Sequence, residues 1–285
     1  MLSNLQEVYF PQHVEDALAR LGEYGDAAAP IAGGTDLVPS APAGIRCLVD
    51  VTRLGLSYIR EESGAVRVGA TTTMQELATS PVLARLAGGV LSSAACQGWP
   101  RQVRNAATLG GNVAHAGPFN DTPPALLALE AEVVVDAPEG EVRIPIDQFF
   151  LDYRATAHGR GIIREFLLPR PPARTWGTFL KLGRTEVDVA MVNAGVVLQL
   201  EGGSCRRARI AVGAVTRTPR RIREAEAMLE ERDLTPELID RVAEVVRSQV
   251  NPILDHRASA DYRRDMSGVL VARALKMLVS AAGAA

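Results

Sequence analysis

Two glycine pairs constrain this chain more than any other feature of its sequence. The first lies in Ala32-Gly33-Gly34-Thr35-Asp36 and the second in Thr108-Leu109-Gly110-Gly111-Asn112. Because glycine has no Cβ and reaches backbone angles closed to other residues, the N–H groups of such a turn can converge on an anion. Either pair alone is more often plain turn geometry. Together, each at the end of an apolar run, they predict a pyrophosphate held from both sides by backbone amides.

Length and composition indicate a globular chain of two or three subdomains. The 285 residues are 47% hydrophobic and 22% charged, which can supply a large core. The net charge of −2 comes without a basic block, so neither nucleic-acid binding nor a membrane-surface role has an electrostatic basis. No leader-like pattern opens the sequence, and no apolar stretch is long enough to suggest membrane insertion. We therefore expect a cytoplasmic location.

Several kinds of catalytic and metal site have no matching motif. Cys47, Cys96 and Cys205 are an odd number at wide spacing, so we expect small core residues and no disulfide framework or metal site. There is no Walker-type phosphate loop, no G-x-G-x-x-G after a strand, and no H-E-x-x-H or G-x-S-x-G sequence. We accordingly predict no catalytic acid, base or nucleophile.

The order of predicted elements favours an α+β fold. A short strand over residues 28–31 precedes the first glycine pair, and one helix is predicted from Pro81 to about Cys96. Three prolines in Pro169-Arg170-Pro171-Pro172 mark the clearest boundary, because proline stops both helices and strand ladders. After it the pattern gives strands first and then helices, the last over residues 261–279, as in α+β domains.

Three side chains outside the glycine pairs each have two interpretations. Asp121 either caps the helix that begins near Pro123 or accepts hydrogen bonds from ligand hydroxyls, at a distance from phosphates that would repel it. Lys181 lies in a predicted strand, where lysine is ordinarily solvated. Beside a flavin, however, it would stabilise the negative charge of the reduced ring. Ile163 would then provide apolar packing for that ring.

At these motifs the chain resembles the FAD-binding medium subunits of the xanthine dehydrogenase and carbon monoxide dehydrogenase family of molybdenum hydroxylases. The resemblance rests on both glycine pairs with their flanking residues, and on Asp121, Phe179-x-Lys181 and Tyr262-Arg263. It implies a two-subdomain FAD-binding domain of the PCMH (vanillyl-alcohol-oxidase-like) type over residues 1–172, divided near residue 55. A smaller α+β domain, with an antiparallel sheet and helices, would occupy residues 173–285.

The resemblance also implies the cofactor, its site and the partner subunits. FAD would be bound by Ala32, Gly33, Gly34, Thr35, Asp36, Leu37, Thr108, Gly110, Gly111, Asn112, Asp121, Ile163 and Lys181. A large molybdopterin subunit would oxidise the substrate, [2Fe-2S] clusters of a small subunit would carry the electrons, and the flavin would pass them to an acceptor. The expected assembly is a dimer of heterotrimers, a heterohexamer.

Two departures and two alternatives accompany this resemblance. The segment over residues 39–44 is shorter than the usual connection, and the loop over residues 184–189 does not reveal the electron acceptor. One alternative is a free-standing FAD-dependent reductase, which resembles the cell-wall enolpyruvyl sugar reductase and needs its own substrate pocket. The other is an assembly subunit that keeps the fold but has lost the cofactor.

Overall fold

The computed structural model describes residues 2–62 and 64–283, which form three larger β-sheets in chain order, each packed against helices, and one two-stranded sheet. The first sheet is parallel, with β3 between β1 and β2. A short helix, α2, follows the first glycine pair. The bounds are β1 (Glu7–Tyr9), α1 (Val14–Tyr24), β2 (Ala28–Ile31), α2 (Leu37–Ser40) and β3 (Cys47–Asp50).

The first sheet and α1 share a small core. Apolar residues recur at helical spacing along α1, and Ala17 and Leu21 are buried against Cys47 and Val49 of β3. The predicted strand over residues 28–31 is confirmed as β2. At three residues, β1 is too short to give a periodic signal. In this sheet β2 ends just before the first glycine pair and so fixes the position of that pair.

The second sheet is antiparallel, in the order β4-β5-β10-β6-β7, and carries a cluster of short helices. A separate two-stranded hairpin, β8–β9, precedes its central strand. The strands are β4 (Ile59–Glu62), β5 (Ala65–Gly69), β6 (Glu132–Ala137), β7 (Gly140–Pro145), β8 (Phe150–Asp152), β9 (Ala155–Thr156) and β10 (Ile162–Pro169). The helices are α3 (Met74–Thr79), α4 (Pro81–Arg85), α5 (Val90–Gln97), α6 (Arg101–Arg104), α7 (Leu109–His115), α8 (Thr122–Ala128) and α9 (Ile146–Phe149).

The third sheet is antiparallel and is followed by helices, as predicted for an α+β arrangement. Its strands are β11 (Thr175–Leu182), β12 (Val192–Glu201), β13 (Ser204–Gly213), β14 (Arg220–Arg221) and β15 (Arg232–Asp233). The helices are α10 (Arg223–Leu229), α11 (Pro236–Gln249) and α12 (Ala260–Gly283). By length and composition α12 is apolar enough to cross a membrane. Its Val271, Ala274 and Leu275 are nevertheless fully buried in the core beside the sheet, as in the core helix of a globular domain.

Both faces of the third sheet are buried. Successive side chains of a strand point to opposite faces, and β12 follows this rule closely. Val196 and Leu198 pack in the core formed with α10, α11 and α12, whereas Val197 joins the core of the second sheet. Helix α8 lies against β12 and β13, and all seven of its residues are buried. The third sheet therefore serves two cores at once.

The single helix predicted from Pro81 to Cys96 is wrong, because the chain breaks it into α4 and α5. Ala87, Gly88 and Gly89 have φ of 44°, 66° and 77°, values incompatible with a helix. A Cβ at Gly88 would lie 2.6 Å from the carbonyl oxygen of Gly177 in β11. The break thus lets the backbone pass directly against the third sheet.

The cysteine prediction is correct at two positions and wrong at one. Cys47 and Cys205 are buried, but Cys96 is exposed near the end of α5. All three are free thiols.

Candidate cofactor site

The fold brings the two glycine pairs together. The residues just before the second pair lie against Gly33, and a Cβ added there would overlap the carbonyl oxygen of Ala106. Beside this contact lies a cavity of about 440 Å³, lined by Gly33 and Gly34 of the first pair and by Gly111 of the second. That volume falls in the range typical of small-molecule sites.

The first glycine pair offers backbone donors to this cavity. In the described part of the chain, no protein acceptor is found for the N–H groups of Gly33, Gly34, Thr35 and Asp36. Gly34 adopts φ of 66°, and its carbonyl accepts the N–H of Val38 to close the turn into α2. Successive free amides in such a turn form a concave site for an anion.

The second glycine pair does not offer its amides, and here the prediction from sequence is wrong. Gly110 and Gly111 form the first turn of α7 rather than a loop. The N–H of Gly110 donates to Ala70 O at 2.8 Å, and that of Gly111 donates to Thr108 Oγ1 at 3.1 Å. Both donors are therefore already satisfied by the protein.

The second pair matters instead because its glycines have no side chains. A Cβ on Gly110 would lie 2.8 Å from the Cβ of Ala70, so glycine permits close packing of α7 on the neighbouring chain. A Cβ on Gly111 would meet only Thr108 Oγ1, at 3.0 Å, and otherwise faces open volume. Gly111 is thus the bare wall opposite the free amides of the first pair.

A second, more apolar cavity of about 260 Å³ adjoins the first. Ala32, Thr108 and Gly111 line both cavities, and Ile162 and Ile163 line only the second. A polar cavity with free amides beside an apolar one suits a dinucleotide, which has charged phosphates between flat apolar rings. The residues present therefore fit a cofactor of this class.

Asp121 and Lys181 lie together, but away from both cavities. Lys181 Nζ is 2.9 Å from Asp121 Oδ2, and Asn193 Nδ2 donates to Asp121 Oδ1 at 2.7 Å. The side chain of Asp121 is 3% exposed and that of Lys181 is 4% exposed. Burial raises the pKa of Asp121, and the charge and hydrogen bond of Lys181 oppose that rise.

This geometry corrects one interpretation made from the sequence. Asp121 occupies the N-cap position of α8, but its carboxylate does not bond the helix amides. Both of its oxygens accept a hydrogen bond from a protein donor, and a contact between Asp121 and a ligand hydroxyl stays a prediction. Neither cavity is lined by both Ile163 and Lys181, and the contact of one flavin ring with both side chains also stays a prediction.

The remaining predicted site residues divide between cavity walls and support. Thr35, Asp36 and Leu37 line the first cavity. Thr108 and Asn112 also line it, but their side chains serve the fold, since Asn112 Oδ1 accepts the hydroxyl of Thr122 at 2.6 Å.

Several residues that the sequence analysis did not assign to the site also line these cavities. Trp99 and Arg154 line the first cavity, and His158 lines the second. His158 stacks on Phe149 with ring centroids 5.7 Å apart, and burial lowers the pKa of His158. Arg154 and His158 lie on or beside the β8–β9 hairpin, whose strands are too short to give a periodic pattern.

Replacing Gly33 with alanine is expected to destabilise the chain by about 1–3 kcal/mol, since the added methyl group overlaps the backbone at Ala106. FAD binding should weaken in parallel, because the two walls of the cavity are forced apart. Chemical denaturation and flavin titration would measure both effects. Gly44→Ala is the control, because a Cβ there meets nothing within 4 Å. Equal stability of the two variants would contradict the close approach.

Comparisons with known proteins agree along nearly the whole chain. Residues 3–171 match the family model described as "FAD binding domain in molybdopterin dehydrogenase", and residues 177–278 match "CO dehydrogenase flavoprotein C-terminal domain". The carbon monoxide dehydrogenase medium chain of Hydrogenophaga pseudoflava is 34% identical over 94% of this chain and 95% of its own length.

One further relative and one solved structure extend this similarity. The alpha subunit of the 6-hydroxypseudooxynicotine dehydrogenase complex of Paenarthrobacter nicotinovorans is 34% identical, covering 92% of this chain and 90% of its own. The structure of carbon monoxide dehydrogenase from Hydrogenophaga pseudoflava superposes with a TM-score of 0.93 at 34% identity, covering 98% of both chains.

Proposed function

Because this chain belongs to the FAD-binding medium subunits of the molybdenum hydroxylase family, we propose that its two adjoining cavities are the FAD site. The observation that carries this assignment is the row of free N–H groups from Gly33 to Asp36, facing a wall at Gly111 that has no side chain. These amides would hold the pyrophosphate, and Ile163 in the apolar cavity would pack against one ring system.

The chain is a subunit of an oxidoreductase, and its own residues bind and orient the cofactor. When bound, FAD supplies an electron carrier that no amino-acid side chain provides. The amides of residues 33–36 fix the phosphates, and the apolar walls at Ile162 and Ile163 exclude water from one end of the site. In this family the molybdenum cofactor and the iron–sulfur clusters belong to other subunits.

The relatives are medium chains of complexes that also contain large and small subunits. For this protein we propose a dimer of such heterotrimers, located in the cytoplasm. The three free thiols are in keeping with a reducing compartment. The mass of the native complex tests the assembly: a particle with two copies of each subunit is expected, and a single heterotrimer would contradict the proposed dimer.

Purification of the native complex tests the function. We expect a yellow protein with about one FAD per chain, whose flavin is reduced by substrate only when the partner subunits are present. Direct reduction by a nicotinamide nucleotide, with turnover of a small substrate by this chain alone, would identify a free-standing reductase instead. A colourless chain that takes up no FAD would identify a cofactor-free assembly subunit.

A further inference from the structure

We propose that Arg154 is a phosphate-binding residue of the cofactor site, supplying the positive charge that the glycine pairs lack. This inference rests on the proposed FAD site and adds to it a side chain that neither glycine motif contains. Arg154 lies at the turn of the β8–β9 hairpin, between Asp152 and Ala155, and lines the same cavity as Gly33, Gly34 and Gly111.

The hairpin is fixed in place beside α7. The N–H of Arg154 donates to the carbonyl of Ala116, the residue just after α7, at 3.3 Å. At the base of the turn, Asp152 accepts two hydrogen bonds from Arg217, at 2.6 and 3.0 Å, and one from the N–H of Tyr153 at 2.7 Å. The turn that carries Arg154 is therefore hydrogen-bonded both to the residue that follows α7 and to Arg217 of the C-terminal domain.

The conformation of Arg154 is also set by the turn. Its φ is 53°, a left-handed value that few residues other than glycine adopt. The three hydrogen bonds to Asp152 and the bond to Ala116 hold the turn in this conformation. A site whose backbone is already held loses less entropy when a ligand binds.

The guanidinium of Arg154 is free to bind an anion. Within residues 2–62 and 64–283 it forms no ion pair, and its neighbour is the ring of Tyr153 at 5.6 Å. Its side chain is exposed at the cavity. By contrast, Arg164 and Arg217 are each paired with carboxylates.

The charge of the cavity supports an arginine contact. Asp36 lines the cavity beside the first glycine pair, and its negative charge repels a phosphate. His115 Nε2 lies 3.8 Å from Asp36 Oδ1, too far for a hydrogen bond. Backbone amides carry partial charges, whereas a pyrophosphate carries full negative charges. The forked donors of a guanidinium match phosphate oxygens and add a full positive charge.

The experiment compares FAD with riboflavin, which has the same ring and no phosphate, on the full-length chain freed of flavin. Affinities are measured by quenching of flavin fluorescence for wild type, Arg154→Gln and Arg154→Lys. The control is Arg143→Gln, which removes an exposed arginine paired with Glu141 in β7. Arg154→Gln should raise the Kd for FAD roughly 10- to 100-fold, the usual range for losing a charged hydrogen bond.

The other outcomes decide the inference in the same experiment. The Kd for riboflavin should not change in Arg154→Gln, and Arg154→Lys should lie between glutamine and wild type for FAD. A Kd for FAD within twofold of wild type in Arg154→Gln, or an equal loss for FAD and riboflavin, would overturn the phosphate contact while leaving the FAD site intact. A wild-type chain that binds no FAD would instead overturn the proposed function.

Discussion

A chain with Gly111 replaced by valine should fold normally and retain no FAD. The new side chain extends into the volume shared by the two cavities, where only Thr108 Oγ1 lies within 4 Å of its Cβ. Apart from Thr108 Oγ1, which lies 3.0 Å from that Cβ, the side chain therefore meets ligand and not protein. Valine in a helix costs less than about 1 kcal/mol relative to better helix formers, and it replaces glycine, which is poorer still.

The measurement is the ratio of FAD to protein after purification, read from flavin absorbance and total protein. Gly22→Val is the matched control, because Gly22 is also helical and a Cβ there meets nothing within 4 Å. Unfolding midpoints of both variants separate loss of flavin from loss of fold. A Gly111→Val chain with normal FAD content would exclude these cavities as the binding site.

Replacing Lys181 with methionine should destabilise the chain by about 3–5 kcal/mol, the range seen when one partner of a buried ion pair is removed. The change leaves the Asp121 carboxylate buried with only Asn193 as a hydrogen-bond donor among the contacts described above. Denaturant unfolding would measure the loss. Lys276→Met, which removes an exposed lysine 3.6 Å from Asp240, should change stability by less than about 1 kcal/mol.

The destabilisation of Lys181→Met should also depend on pH. Burial already raises the pKa of Asp121, and loss of Lys181 removes the charge that opposes that rise. A carboxyl with a higher pKa in the folded than in the unfolded chain favours folding where it is protonated, so the penalty should shrink as the pH falls.

A double variant completes this test. Asp121→Asn combined with Lys181→Met leaves no buried charge and should be more stable than Lys181→Met alone. A single variant that is as stable as wild type, or a penalty that grows at low pH, would show that the two side chains do not form a buried ion pair.

The first glycine pair shows what the sequence can predict. Its strand appears at the predicted place, and the turn at Gly34 and the helix that follows are likewise set by residues close in the chain. Local patterns of this kind are readable because glycine angles and strand composition act over a few residues.

The errors have a different origin, in contacts between residues far apart in the sequence. The amide of Gly110 is taken by Ala70, and the break after α4 lets the chain pass against Gly177. Asp121 and Lys181 are separated by 60 positions, so each was interpreted alone although they neutralise each other. No local rule identifies the partner of a buried donor or charge before the fold is known.

Both faces of the third sheet are buried, and this affects when apolar surface is covered during synthesis of the chain. Helix α8 is translated before β12 and β13, the strands that cover it. During synthesis the face of α8 that packs on these strands stays in water until the last third of the polypeptide leaves the ribosome, a period in which unburied apolar surface invites aggregation. Shielding by a chaperone is therefore most needed between the emergence of α8 and that of β13.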